Sequence, residues 1–147
     1  MRLWTSGSTG RTPEGLIETC KRLGIRLLAD VRWPGGPARW SRDQLGLALE
    51  VTGLRYQLLP ALSPPPGPRG ETAATARDRL RRYRDHALTD PAPAAALLWL
   101  ESLLSQPPPP PSGVLLLGTP AGPSLCHRSV IAARLRERLP GLQVTHL

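Results

Sequence analysis

Apolar and polar positions alternate with two different periods along this chain, and the switches between them predict strands and helices in turn. Leu3-Trp4-Thr5 reads as a short first strand. Leu16, Ile17, Cys20 and Leu23 then recur at helical spacing, with Thr12-Pro13 placed to cap and open that helix and Gly24 to stop it. The mostly apolar run Ile25-Arg26-Leu27-Leu28-Ala29-Asp30-Val31 has the character of a strand buried on both faces. Ser41 with Gln44 forms a capping box for a second helix, whose inner face is Leu45, Ala48 and Leu49 and whose stop is Gly53. Arg55 to Leu59 reads as the third strand.

The second half follows the same alternation with less regular punctuation. Pro64-Pro65-Pro66-Gly67-Pro68 sustains neither helix nor ladder and predicts an exposed loop. Beyond it, Ala76, Leu80, Tyr83 and Ala87 fall on one helical face and Arg77, Arg81 and Arg84 on another. Asp90-Pro91 opens a further helix through Leu97, Leu98 and Leu104. The five prolines from Pro107 to Pro111 predict a stiff, extended connector. Val114 to Leu117 is the fourth strand, the last helix runs from about Arg128 to Leu139, and Gln143 to Leu147 is a closing strand. Strands that alternate with helices imply an α/β fold: an open, mostly parallel sheet with helices on both faces, Rossmann-like and three-layered, as one domain over residues 1–147.

Ligands of such folds gather outside the carboxyl ends of the strands. Applied here, that rule brings Thr5-Ser6-Gly7-Ser8-Thr9, Asp30-Val31-Arg32, the Leu59-Pro60 turn and the loop from Gly118 to Arg128 to one rim. The most informative segment on it is Cys126-His127-Arg128-Ser129, which sets a thiol, an imidazole and a guanidinium at the start of the last helix. Free backbone N–H groups and the helix dipole favour an anion there and activate a thiol.

Composition adjusts this picture only modestly. A 147-residue chain that is 40% apolar is long enough to build a real core. Its net charge of +8 invites a nucleic-acid or phosphate partner. Arginine supplies 18 of the 19 basic residues, however, and asparagine and phenylalanine are absent, a bias that a GC-rich coding sequence also produces. No apolar run approaches membrane-spanning length and no secretory signal opens the chain, so a cytoplasmic location without membrane contact is expected. Cys20 and Cys126 give no disulfide framework and no zinc-ligand spacing. Cys20 lies on the apolar side of its helix, where core packing is expected. His86 and His146 show no partner pattern, and no motif specifies a metal, a cofactor or an oligomeric state.

The residues also resemble a known family. Trp4-Thr5-Ser6-Gly7-Ser8 with Arg11, then Asp30-Val31-Arg32, then Tyr56 with Leu59-Pro60, and finally Pro123 with Cys126-His127-Arg128-Ser129 are similar, in order and over nearly the whole chain, to the bacterial domain-of-unknown-function family 488. The resemblance implies a compact α/β domain of uncharacterised biochemical role. It also implies a histidine in the first loop, where this chain has Ser8, and a Cys-x-Glu after the fourth strand, where it has Gly118 and Pro120. The loop after Asp-Val-Arg is shortened here to residues 33–40.

Two candidate sets follow. Cys126 and Asp30 form the catalytic candidate, Cys126 as a thiolate nucleophile activated by His127 or the helix terminus, Asp30 as base or acceptor. The alternatives are a packed thiol and a self-satisfied Asp30–Arg32 salt bridge, the two side chains pointing the same way in extended geometry. Ser8, Thr9, Arg11, Arg32, His127, Arg128 and Ser129 form the ligand-binding candidate. Within it, the turn Gly7-Ser8-Thr9-Gly10 offers backbone N–H groups to phosphate, and Arg128 either grips an anion or pairs with Asp30 across the rim. Neither the lysine of a P-loop nor the Cys-x5-Arg of a phosphatase loop is present, since the sixth residue after Cys126 is Ala132. The expected function is binding of a small anionic, nucleotide-like or phosphate-bearing ligand at the strand ends, with catalysis through Cys126 and Asp30 open. The alternative is a non-catalytic module contacting nucleic acid or protein through the helix from Arg77 to Arg84. That helix carries five arginines in eight residues, but Asp78 and Asp85 balance it and aromatic residues for stacking are scarce.

Overall fold

The structure is a computed structural model that describes residues 1–106 and 113–147. The Pro107 to Pro111 connector lies outside the described residues. Five strands, β1 (Arg2–Gly7), β2 (Leu27–Asp30), β3 (Arg55–Leu58), β4 (Val114–Gly118) and β5 (Gln143–His146), form one parallel sheet in the order β3-β2-β4-β1-β5. Leu3 and Leu27 both register with Val114, which fixes β4 between the first two strands.

Side-chain alternation along the strands divides the core in two. Leu3, Leu27, Ala29, Val114 and Leu116 face one side, against α3 (Ala73–Asp85), α4 (Pro91–Leu104) and α5 (His127–Arg138). Trp4, Leu28, Leu115 and Leu117 face the other, against α1 (Pro13–Leu23) and α2 (Arg42–Glu50). Burial on both faces explains why β2 and β4 read as continuous apolar runs.

Local signals act where their chemistry predicts. The Thr12 side chain accepts from the Gly15 N–H (3.1 Å), Pro13 opens α1, and Gly24 closes it at φ 70°. The Ser41 hydroxyl caps α2 at the Gln44 N–H. Cys20 is fully buried, and burial raises its thiol pKa to about 11. Three expectations shift. Helix α3 ends at Asp85, so Ala87 belongs to a following 3-10 turn. The strand within the run from Ile25 to Val31 is shorter than the run, because Ile25 still closes α1 through its N–H to the Cys20 carbonyl. His146 does find a partner: parallel pairing of β5 with β1 places its Nδ1 2.6 Å from the Thr5 hydroxyl. No helix among the described residues is long and apolar enough to cross a membrane.

Candidate active site at the carboxyl ends of the strands

The helices that follow β1 and β2 pack on one face of the sheet and the helix that follows β4 packs on the other. Chains leaving adjacent strands in opposite directions open a crevice at their carboxyl ends. The loops are stitched together across it: Ser8 and Thr9 N–H donate to the Gly118 and Thr119 carbonyls, Val31 N–H to Leu117, and Leu59 N–H to Asp30. Gly7 is needed for the closest approach, since a Cβ there would stand 1.8 Å from the Pro120 carbonyl oxygen. The four predicted loops therefore do share one rim.

A pocket of about 480 Å³ sits on that rim, within the range of roughly 300–1,000 Å³ usual for small-molecule sites. It is lined by Trp33 to Gly36, Pro64 to Gly67, Pro120 and Leu125, and by the polar or reactive side chains of Thr9, Arg79, Thr119, Cys126 and His127. Arg79 reaches it from α3 and is held in place by Glu71, with Nε to Oε1 at 2.9 Å and Nη2 to Oε2 at 3.0 Å. That pairing, with burial opposing it, moves the Arg79 pKa up and the Glu71 pKa down. Gly67 makes room for the pair, because a Cβ there would fall 2.2 Å from Glu71 Oε2.

The start of α5 brings Cys126 and His127 to the pocket. Cys126 is the N-cap residue, with no side-chain cap, and its sulfur faces two neighbours. Arg128 Nη1 donates to Sγ from 3.2 Å, and His127 Nδ1 stands 4.0 Å away. His127 Nε2 bonds to the Val31 carbonyl, which only accepts, so the proton sits on Nε2 and Nδ1 carries the lone pair. Burial, the largest influence on the ring, lowers its pKa and keeps it neutral; the bond to Val31 opposes this, and the Arg128 and Arg79 charges reinforce it. Tyr83 packs edge-on against the ring at 6.1 Å and anchors its hydroxyl on the Leu62 carbonyl. Arg128 is fully buried. Its Nη1 also donates to the Pro120 carbonyl (2.7 Å) and its Nη2 to Ala121 (3.1 Å), while Nε has no partner among the described residues. Among the described residues no carboxylate contacts this guanidinium.

The acidic-basic pair has a different role. Asp30 and Arg32 face the α2 side of the sheet and bind each other, with the Tyr56 hydroxyl donating to Asp30 Oδ2 (2.6 Å). Burial, reinforced by that bond to Asp30, raises the Tyr56 pKa. Arg32 Nη1 donates to the Trp40 carbonyl and its guanidinium lies over the Trp40 ring, 5.6 Å from the centroid. The salt bridge expected as the alternative is thus the one observed. The Asp30–Arg128 ion pair, the alternative to anion binding by Arg128, is not found among the described residues; Asp30 is bound by Arg32 and Tyr56 instead.

The remaining candidates divide. Thr9, Cys126 and His127 line the pocket. Arg32 lines a smaller neighbouring hollow with Trp33 and Arg42. Arg128 lies behind the thiol. Ser129 caps Pro123 through its hydroxyl (2.5 Å), Ser8 is buried with its N–H committed to Gly118, and the Arg11 carbonyl accepts from Trp40 Nε1. The amides of Ser8 and Thr9 are therefore not available to cradle a phosphate. Sequence reasoning passed over Arg79, Trp33, Thr119 and the proline wall. Arg79 was detectable, since 76, 79, 80 and 83 share the inward side of α3.

A parallel three-layer α/β protein with a thiol-bearing pocket at its strand ends is the class these features define. The chain belongs to the family described as domain of unknown function DUF488, whose model matches residues 12–135. No curated protein and no solved structure matches it.

Proposed function

We propose that this protein binds a small, phosphate-bearing anion in the pocket above Cys126. The observation that carries the reading is the positive charge in the pocket lining. Arg79 lines the pocket, and Glu71 holds its Nε and Nη2 while its Nη1 has no acceptor among the described residues. The N–H groups of His127 and Arg128, at the first two positions of α5, have no acceptor among the described residues. A positioned guanidinium and two free amides at a helix start together favour an oxyanion.

The alternative of a nucleic-acid face on α3 draws less support. Arg79, Arg81 and Arg84 are paired with Glu71, Asp78 and Asp85, and Tyr83 is turned into the core. Titration calorimetry with inorganic phosphate and adenosine monophosphate tests the proposal. Saturable, salt-sensitive binding is expected, weakened about tenfold or more in Arg79→Met, the loss of one charge-assisted hydrogen bond. Absence of saturable heat, or equal affinity in the variant, would refute it.

A further inference from the structure

We propose that Cys126 attacks the phosphorus of an aryl phosphate monoester held in this pocket; the proposal rests on the anion-binding reading and adds a reaction to it. Three observations converge on the sulfur. First, the Arg128 guanidinium is fully buried behind the sulfur and its Nη1 donates to Sγ from 3.2 Å, while its Nε has no partner among the described residues. Second, the Val31 carbonyl fixes the His127 tautomer, so the ring directs a lone pair rather than a proton toward Sγ. Third, the sulfur belongs to the N-cap residue of a helix whose first two amides have no acceptor among the described residues.

The same lining suggests the electrophile. Cys126 and the Arg79 guanidinium both line the pocket, and a cation beside the nucleophile suits an anionic phosphoryl group better than a neutral ester. Much of the remaining lining is apolar: Trp33, 44% exposed, with Pro34, Pro64, Pro65 and Leu125. Rigid prolyl walls and an open indole face suit a flat aromatic leaving group.

The step balances without an oxidant or metal. The thiol proton moves to His127 Nδ1 and from there to solvent, a sulfur–phosphorus bond forms as the bond from phosphorus to the aryl oxygen breaks in line, opposite the sulfur, and the departing phenoxide takes a proton from solvent. Water then attacks the phosphocysteine, breaking the sulfur–phosphorus bond and returning a proton to the sulfur, so that aryl phosphate and water yield a phenol and inorganic phosphate. The arrangement differs from a Cys-x5-Arg loop in that the arginine lies behind the sulfur, pairing with the nucleophile rather than the phosphate.

The experiment is hydrolysis of p-nitrophenyl phosphate by the intact chain, with acid-quenched peptide mass spectrometry and phosphate calorimetry on the same preparation. Turnover, a phosphoryl adduct on the Cys126 peptide, loss of both in Cys126→Ser, retention of both in Cys20→Ala and a fall in kcat of about 100-fold in His127→Gln are expected. Trp33→Ala is expected to raise KM for the aryl substrate. Phosphate binding without turnover or adduct would overturn the reaction and leave the binding reading standing; neither binding nor turnover would remove both. Hydrolysis of p-nitrophenyl acetate but not of the phosphate would overturn the phosphoryl assignment.

Discussion

Asp30 and Arg32, two residues apart at the end of β2, hold each other through three hydrogen bonds, Nε to Oδ1 at 2.9 Å, Nη2 to Oδ2 at 2.6 Å and the Arg32 backbone N–H to Oδ1 at 3.0 Å. Extended backbone turns both side chains to the same face, and Tyr56 and the Trp40 carbonyl supply further partners. Arg42 Nη2 in turn donates to the Arg32 carbonyl (2.6 Å), so the loop of residues 33–39 leaves the sheet from a fixed base and returns to it at Trp40. The pair thereby braces the base of the loop that carries Trp33 to the pocket.

Breaking this pair from one side is expected to be costly. Asp30→Asn leaves Arg32, 5% exposed, without its counter-charge, and such a loss costs about 3–5 kcal/mol. Replacing both, as in Asp30→Asn with Arg32→Met, should recover part of that. Urea denaturation of the three proteins checks it; equal stability of Asp30→Asn and wild type would show that the pair does not brace the loop.

His127 makes stability depend on pH in a defined direction. Its pKa is lowered from 6.5 by burial, so the unfolded chain binds the proton more readily than the folded one. Stability is fully present above about 6.5 and declines as pH falls from there toward the folded value. The groups around the ring are Arg79 and Arg128, whose charges add to the lowering, Asp30, which opposes it, and Cys126 and Tyr83, which pack near it. Denaturation midpoints of wild type and His127→Gln between pH 7 and pH 5 should converge as pH falls. A constant difference across that range would contradict the neutral, Val31-bonded ring.

The two cysteines should differ in reactivity. Cys20 is buried between α1 and the sheet with its pKa raised to about 11, so little thiolate is available. Cys126 is 2% exposed but lines the pocket and faces a guanidinium. Iodoacetamide under native conditions is expected to modify Cys126 first, with inorganic phosphate slowing the reaction and Arg128→Met slowing it further. Peptide mapping over time reads both; preferential modification of Cys20 would overturn the assignment.

How far these features were legible follows from the range of the interactions involved. Thr12-Pro13, Gly24 and Ser41 act on neighbours within one helical turn, and the apolar runs of β2 and β4 need only their own composition, so the elements and the layered sheet could be read along the chain. The rim was legible through topology alone. What the chain could not show was the direction of polar side chains across it. Arg128 follows the thiol by two residues yet turns inward, because the carbonyls of Pro120 and Ala121 are the acceptors that meet it. Pro64 to Pro66 read as an exposed loop and form one, with Pro65 and Pro66 exposed, but that they also line the pocket depends on contacts far away in the chain. The His146–Thr5 bond depends on β5 returning beside β1, a pairing 141 residues apart.

Gly7 and Gly118 offer the last test, since both permit the contacts that build the pocket floor and neither has positive φ. A methyl group on Gly7 would lie 1.8 Å from the Pro120 carbonyl oxygen, and backbone on both sides leaves little room to yield. Gly7→Ala is expected to destabilise the protein at or beyond the upper end of the ~1–3 kcal/mol typical of overpacking. The methyl group of Gly118→Ala would instead meet side-chain atoms, Arg128 Nη1 at 2.9 Å and Cys126 Sγ at 3.0 Å. Those atoms can separate, so the cost in stability should be smaller while the contact between sulfur and guanidinium is wedged open. The informative result is therefore a dissociation between two measurements: Gly118→Ala should slow Cys126 alkylation more than its loss in urea midpoint would suggest, whereas Gly7→Ala should chiefly lower the midpoint. If Gly118→Ala alkylates as fast as wild type, Arg128 is not what activates the thiol.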